Sequence, residues 1–178
     1  MTNDLMINKM PTNIEIKARC PNPTKIKELL QAKQAVFKGI DHQIDTYFEV
    51  PNGRLKLREG TIENHLIHYH RTNQKGPKQS VVTLFKTQPD SSLKTILIDA
   101  LGIKTVVDKH RAIYFIENVK FHIDSVEGLG DFVEIEAIDT DGSISLAQLQ
   151  QQCEAYMALF EINENHLLTH SYSDMMKR

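Results

Sequence analysis

The segment Thr12-Asn13-Ile14-Glu15-Ile16-Lys17-Ala18-Arg19 alternates strictly, with Asn13, Glu15, Lys17 and Arg19 in one set and Ile14, Ile16 and Ala18 in the other. A β-strand sends successive side chains to opposite faces, so this pattern predicts a strand with one apolar face and one charged face. The same design recurs. Arg54, Lys56 and Arg58 alternate with Leu55 and Leu57, Lys109 and Arg111 share a face, and Glu134 and Glu136 alternate with Val133, Ile135 and Ala137. Charge of both signs repeated on strand faces has two readings, an ordinary solvated surface or the wet lining of a barrel. Several strands share the alternation, and carboxylates at Glu15, Asp124, Glu134 and Glu136 accompany the cations. Such groups are too costly to bury dry and unpaired, which favours a water-filled, ligand-accessible interior.

Turn and cap signals divide the chain into about eight strands and three main helices. Pro21-Asn22-Pro23 ends the first strand, of about residues 12–20, and Asn22 or Thr24 caps a helix of about 24–35. A strand of about 41–50 leads through Pro51-Asn52-Gly53 into another at about 54–60, a hairpin signal. Strands at about 64–72 and 81–85 follow, separated by a loop containing Gly76-Pro77. A second helix opens at Pro89-Asp90-Ser91-Ser92 and closes at Gly102. Strands of about 104–117, 119–126 and 131–139 come next, then a helix of about 145–160 with apolar spacing from Leu146 to Phe160, and a short helical tail. Eight strands is the number at which a closed sheet leaves room for side chains or one small ligand. The order predicts an α+β protein: an eight-stranded antiparallel closed β-barrel with helices packed outside. Residues 1–11 read as a flexible N-terminal extension and 12–178 as one domain, in keeping with a length of 178 residues.

Composition limits the partners. Lys plus Arg is 21 and Asp plus Glu is 23, a net charge of −2, which argues against a general nucleic-acid or acidic-membrane binder. No apolar run approaches the roughly 18 residues a membrane span needs, and residues 1–10 lack a signal-peptide core, so the expectation is a cytoplasmic protein. Cys20 and Cys153 lack metal-ligand spacing. Of His65, His68 and His70, only His68 and His70 share a strand face, and no third ligand accompanies that pair, which disfavours zinc there. Gly128-Leu129-Gly130 has no Lys-Ser/Thr continuation and reads as a hairpin turn, not a nucleotide loop.

Lys17, Arg19, Lys56, Arg58, Arg71, Lys109 and Arg111 suit a phosphate chain, because guanidinium groups bind phosphate oxygens in a fork and Lys acts as a compact charge. Glu15, Asp124, Glu134 and Glu136 suit a hard divalent cation such as Mg²⁺ or Mn²⁺. Together they point to phosphoryl or nucleotidyl chemistry.

Ordered blocks of the chain resemble a known family. Asn13-Ile14-Glu15-Ile16-Lys17 is similar to the Glu-x-Glu-x-Lys signature of the CYTH superfamily, the triphosphate tunnel metalloenzymes. Asp45-Thr46-Tyr47-Phe48, Gly53 to Glu59, Lys109 to Tyr114, and His122-Ile123-Asp124 through Glu136 agree in order, as does Ser171-Tyr172-Ser173-Asp174. The later blocks are most similar to the class IV adenylyl cyclase-like branch. The resemblance implies a tunnel that binds a triphosphate (ATP, tripolyphosphate or thiamine triphosphate) with Mg²⁺ or Mn²⁺. It implies phosphate contacts from Lys17, Lys56, Arg58, Lys109 and Arg111, with Arg71 a weaker candidate. Glu15, Glu134 and Glu136 would ligate metal, with Asp124 a ligand or base, and a homodimer is a family-level expectation. Cyclase, triphosphate hydrolase and non-catalytic sensor all remain open at this point. One position departs from the signature: Asn13 stands where its first Glu would be, which predicts weaker or altered metal binding.

Overall fold

The computed structural model describes residues 12–71, 76–89 and 91–176; the expected extension at 1–11 lies outside the described residues. Strands β1 (Thr12–Arg19), β2 (Val36–Phe48), β3 (Arg54–Gly60), β4 (His65–Arg71), β5 (Lys78–Lys86), β6 (Ile103–Ile116), β7 (Val119–Val126) and β8 (Gly130–Asp139) form the frame. They close into a barrel in the order β1-β5-β4-β3-β2-β6-β7-β8, every neighbouring pair antiparallel. β8 returns to pair with β1 along its whole length, while the other seam, β1 with β5, pairs only Asn13, Glu15 and the Ile14 between them.

Helices α1 (Pro23–Ala32) and α3 (Leu146–Leu159) cover one outer face of this frame, and α2 (Leu93–Leu101) and α4 (Tyr172–Met175) complete the set. The apolar half of each alternation explains the covering. Ile14, Ile16 and Ala18 of β1, Phe121 and Ile123 of β7, and Val133, Ile135 and Ala137 of β8 form one buried layer with Leu30, Leu149 and Cys153. Phe121 is fully buried and meets Tyr156 and Phe160 edge-on, at ring separations of 4.6 and 5.7 Å. The main hydrophobic core therefore lies outside the barrel, and the polar faces are left for its interior.

Local signals set the ends. The Asn22 side chain accepts from Lys25 N at 3.0 Å, and Pro23, lacking an N–H, starts α1. Ser145 and Gln148 make a reciprocal capping box on α3, and Ser171 and Asp174 make another on α4. Gly102, at φ +73°, ends α2 as expected. β2 begins earlier than its alternation suggested. Val36, Phe37 and Ile40 are exposed, so no burial pattern marks them, and they join the strand by pairing with the far end of β6. A bulge between Phe37 and Gly39 accompanies that extension.

Candidate functional site

The barrel encloses a cavity of about 580 Å³. Its strands send Asn13, Glu15 and Lys17 of β1, Lys56 and Arg58 of β3, and Lys109 and Arg111 of β6 to the wall. Lys120 and His122 of β7 and Glu134 and Glu136 of β8 complete the charged side. Strands β4 and β5 add Ile67, Tyr69, Val82 and Leu84, together with His65 and Thr83, and Ile67 is the ladder partner of Lys56.

Three cations converge on Asp45. Its carboxylate accepts from Lys56 Nζ at 2.8 Å and Lys109 Nζ at 2.7 Å, and from Arg58 Nε and Nη2 at 2.8 and 2.9 Å. Burial works to raise the Asp45 carboxyl, but Arg58, Lys109 and Lys56 hold it well below the usual range. Burial, with Arg58, Arg111 and Lys56 nearby, brings the Lys109 ammonium down to about 7 despite Asp45. A neighbouring group links Arg58 to β7: Glu63 accepts from Arg58 Nη1 at 3.1 Å and from Lys120 Nζ at 2.7 Å. The β3–β4 turn places Glu63. Asp41 accepts the N–H groups of Ile62 and Glu63 at 2.8 and 3.0 Å, and Gly60 permits this approach. A Cβ on Gly60 would lie 2.6 Å from Glu63 O and 2.7 Å from Asp41 Oδ1.

The second cluster centres on Arg111. It donates Nε to Asp124 Oδ1 at 2.6 Å, Nη2 to Asp124 Oδ2, and Nη2 to Glu134 Oε2 at 2.9 Å. Tyr172 OH donates to Asp124 Oδ2 at 2.8 Å, and Lys17 pairs with Glu134 Oε1 while its Nζ lies 3.5 Å from the Tyr172 ring centroid. Burial opposes ionisation of Glu134, but Arg111 and Lys17 take its carboxyl well below the usual range. His122 donates from Nδ1 to Glu134 Oε2 at 3.0 Å. Burial first, then Arg111, pushes its imidazole down to about 3, so the ring is neutral, and its Nε2 has no partner among the described residues.

The third group differs in kind. Glu15 and Glu136 face each other across the β1–β8 ladder, and burial together with the Glu15 charge raises the Glu136 carboxyl. Asn13 Nδ2 donates to Glu136 Oε1, while Asn13 Oδ1 is buried without a partner. Two carboxylates that repel each other and an idle carbonyl oxygen form an oxygen donor set suited to a hard cation, which completes its shell with water and substrate oxygens. The chain's residues therefore fit a divalent ion at Glu15, Glu136 and Asn13 Oδ1.

Lys17, Lys56, Arg58, Lys109, Arg111, Glu15, Glu134 and Glu136 all line this one cavity. Asp124 stands behind that wall, 1 % exposed, and accepts three hydrogen bonds, one on Oδ1 from Arg111 and two on Oδ2 from Arg111 and Tyr172. Arg19 is exposed and outside the cavity lining, its Nη1 3.4 Å from Leu129 O. β4 carries Arg71 opposite Ser80, and its side chain lies outside the described residues. The sequence reading gave no site role to Glu63, Lys120, His122 or Tyr172, and named Asp45 only within the Asp45-Thr46-Tyr47-Phe48 block. The period-2 run Lys120-x-His122-x-Asp124 carried the signal for two of them.

Residues 11–172 match the CYTH domain family, which spans almost all of the chain. The protein belongs to the CYTH family. A Methanocaldococcus jannaschii protein, provisionally named an adenylate cyclase, is 28% identical over 180 residues, covering 91% of this chain and 97% of its own. Among solved structures, the PH1012 protein of Pyrococcus horikoshii superposes with a TM-score of 0.77 at 24% identity, covering 91% of this chain and 98% of its own. A provisionally assigned adenylyl cyclase from Hippeastrum, described as having a dominant triphosphatase activity, superposes with a TM-score of 0.58 at 16% identity, over 92% and 93% of the two chains. These two structures share the fold of this CYTH protein. No helix among its described residues is long and apolar enough to cross a membrane.

Proposed function

We propose that this CYTH protein is a metal-dependent enzyme that converts ATP to cyclic AMP and pyrophosphate. The observation that carries the reading is the mixed lining of the cavity: Lys56, Arg58, Lys109 and Arg111 on β3 and β6, and Ile67, Tyr69, Val82 and Leu84 on β4 and β5, which continue the sheet from β3. A phosphate chain suits the first set and the organic part of a nucleotide suits the second, which inorganic tripolyphosphate would leave unused.

Phosphate oxygens join the Asp45 carboxylate as partners of Lys56, Arg58 and Lys109, whose three positive charges exceed its single negative one. Arg111, held in the plane of its fork by Asp124 and Glu134, stabilises charge on the phosphorus being attacked. Asp124 is a positioning residue in this scheme, since Arg111 and Tyr172 occupy it. The neutral His122 offers Nε2 as a hydrogen-bond acceptor that orients the attacking hydroxyl. Attack of the ribose 3′-hydroxyl on the α-phosphorus forms the cyclic ester and breaks the bond to the β-phosphate, which leaves with the γ-phosphate as pyrophosphate and takes up the hydroxyl proton. Mg²⁺ or Mn²⁺ at Glu15, Glu136 and Asn13 supplies neutralisation of phosphate charge when bound.

A second reading, hydrolysis of the terminal phosphate with water in place of the ribose hydroxyl, has its own support. Ile67, Val82 and Leu84 present no hydrogen-bonding groups with which to read a base edge, which leaves that task on β4 and β5 to His65, Tyr69 and Thr83. The Hippeastrum neighbour is described as a triphosphatase. One assay separates the readings: incubation with Mg²⁺ or Mn²⁺ and ATP, tripolyphosphate or thiamine triphosphate in turn, with products resolved. Cyclic AMP and pyrophosphate from ATP support cyclisation, and orthophosphate supports hydrolysis. Binding without turnover identifies a sensor, and failure to bind any triphosphate overturns the assignment of this cavity.

A further inference from the structure

The outer face of the barrel carries a second grouping of metal-ligand residues, on strands whose inner faces belong to the cavity. His42 of β2 and His110 of β6 are direct partners in the antiparallel ladder. Their rings stack with centroids 4.4 Å apart and planes within 1°. Asp108, two residues before His110 and so on the same face, accepts from His42 Nε2 at 2.7 Å. Ligand atoms of all three lie within 4.8 Å of one another. The site is open to solvent, with the His42 and Asp108 side chains 43% and 36% exposed. It faces away from the tunnel, because Gln43, Lys109 and Arg111 take the alternate positions and point inward.

We propose that His42, Asp108 and His110 form a binding site for a borderline transition-metal cation of the Zn²⁺ class, separate from the oxygen-only set inside the barrel. Donor chemistry supports the separation. Imidazole nitrogen suits Zn²⁺, Ni²⁺ and Cu²⁺, whereas carboxylate and amide oxygens suit Mg²⁺ and Mn²⁺. Geometry supports the site itself. Ladder pairing fixes the spacing of the two imidazoles, and tetrahedral bonds of about 2.0–2.1 Å need donors about 3.3 Å apart, a closure that exposed rings reach by rotation about χ2. The proton that His42 Nε2 shares with Asp108 moves to Nδ1 as a change of tautomer, and the metal takes its place between nitrogen and carboxylate oxygen. Water fills the remaining position. Two groups beside it are not cationic: Ser125 of β7 lies opposite His110, and the exposed Glu127, just past β7, donates its N–H to Asp108 O at 3.0 Å.

Other candidates for such an ion are weaker. Cys20 and Cys153 are buried, and burial pushes each thiol up to about 11. His68 and His70 meet edge-on at 4.9 Å, but His68 Nε2 is taken up by Asn52 O and no carboxylate joins them among the described residues. The ion would clamp β2 to β6 from behind, at the ladder step between the Asp41–Arg111 and Gln43–Lys109 pairs. Its effect falls on the stability of that wall and not on contact with substrate.

The test titrates Zn²⁺ into the protein with Mg²⁺ in excess, following heat of binding and the thermal unfolding midpoint. The wild-type chain is expected to bind Zn²⁺ and unfold at a higher temperature. His42→Ala and His110→Ala are each expected to weaken Zn²⁺ affinity by about tenfold or more, while His68→Ala leaves it unchanged. A second readout needs no substitution: the ring ¹⁵N resonances of His42 and His110 shift on adding Zn²⁺. Equal Zn²⁺ affinity in wild type, His42→Ala and His110→Ala, or His42 and His110 resonances that do not move, would overturn the proposal.

Discussion

Two sets of carboxylates line or back the same barrel, and they live under opposite electrostatics. Asp45, Asp124 and Glu134 are each held by at least one Lys or Arg, and each carboxyl is driven down against the pull of burial. Glu15 and Glu136 face one another, and burial plus this like charge raises the Glu136 carboxyl. The chain thus separates two jobs that look identical in sequence. In the proposed function, the carboxylates paired with cations hold the phosphate-binding side chains in place, and Glu15, Glu136 and Asn13 take the metal. Repulsion in the free protein is a reservoir of metal affinity, since an ion relieves it.

The largest expected effect comes from removing the cation that two of the cation-paired carboxylates share. Arg111→Ala leaves Asp124 and Glu134 buried, with Glu134 retaining Lys17 and Asp124 only Tyr172. Breaking one side of a buried ion pair typically costs about 3–5 kcal/mol, so the variant should unfold at distinctly lower urea concentration and lose triphosphate binding. A stability equal to wild type would show that water reaches Asp124 and that the cluster is not a dry unit.

The comparison itself is broken or sharpened by Glu136→Ala against Glu134→Gln. Removing Glu136 should weaken Mg²⁺ or Mn²⁺ binding by about 100-fold, the upper end of what loss of an outer-shell partner costs, and reduce metal-dependent turnover with it. Glu134→Gln should spare metal affinity and instead weaken triphosphate binding, because Lys17 and Arg111 lose the carboxylate that holds them. Calorimetric metal titration of both variants decides it. Equal losses of metal affinity would merge the two sets into one.

Lys109 gives a pH signature of about tenfold or less. Its ammonium is brought down to about 7, by burial above all, so raising the pH through that value removes a positive charge from the cationic nest. Triphosphate affinity should therefore fall as pH rises through neutrality. Lys109→Arg should flatten that profile, because a guanidinium stays charged throughout. A profile unaltered by the substitution would assign the dependence to another group. The stability sign runs the other way. A lysine whose folded value lies below its unfolded one binds fewer protons when folded, so the fold gains stability as pH rises from about 7 toward the unfolded lysine value.

Period-2 alternation made much of this legible. It named the inner faces of β1, β3, β6 and β8 and the apolar outer layer under α3, because each charged or apolar set has a single solvent or core to face. It could not show who pairs with whom. That Asp45 draws in Lys56, Arg58 and Lys109, and that Asp124 is spent on Arg111, depends on barrel order, in which β2 lies between β3 and β6 and β7 beside β6. The outer His42–Asp108–His110 grouping is invisible for the same reason, since a cross-strand partner 68 positions away in the chain becomes adjacent only through the β2–β6 register.

Arg19 marks where alternation stops being a guide. It follows Lys17 by two residues on the same side of β1, which predicts an inward side chain. The barrel is already closed at that level. Phe132, the ladder partner of Arg19, is fully buried against Tyr172 with rings 4.9 Å apart, and Tyr172 in turn reaches Asp124. The plug fills the space an inward Arg19 would need, so the side chain lies over the Phe132 ring, its guanidinium 5.4 Å from the centroid, and stays in solvent. Arg19→Ala should cost no more than about 1 kcal/mol of stability, the worth of an exposed cation–π contact, and leave triphosphate affinity unchanged in the same titration that registers Arg111→Ala. A large loss of affinity in Arg19→Ala would mean that the Phe132–Tyr172 plug opens in the bound protein, and that the phosphate chain runs further toward the α4 end than the cavity now extends.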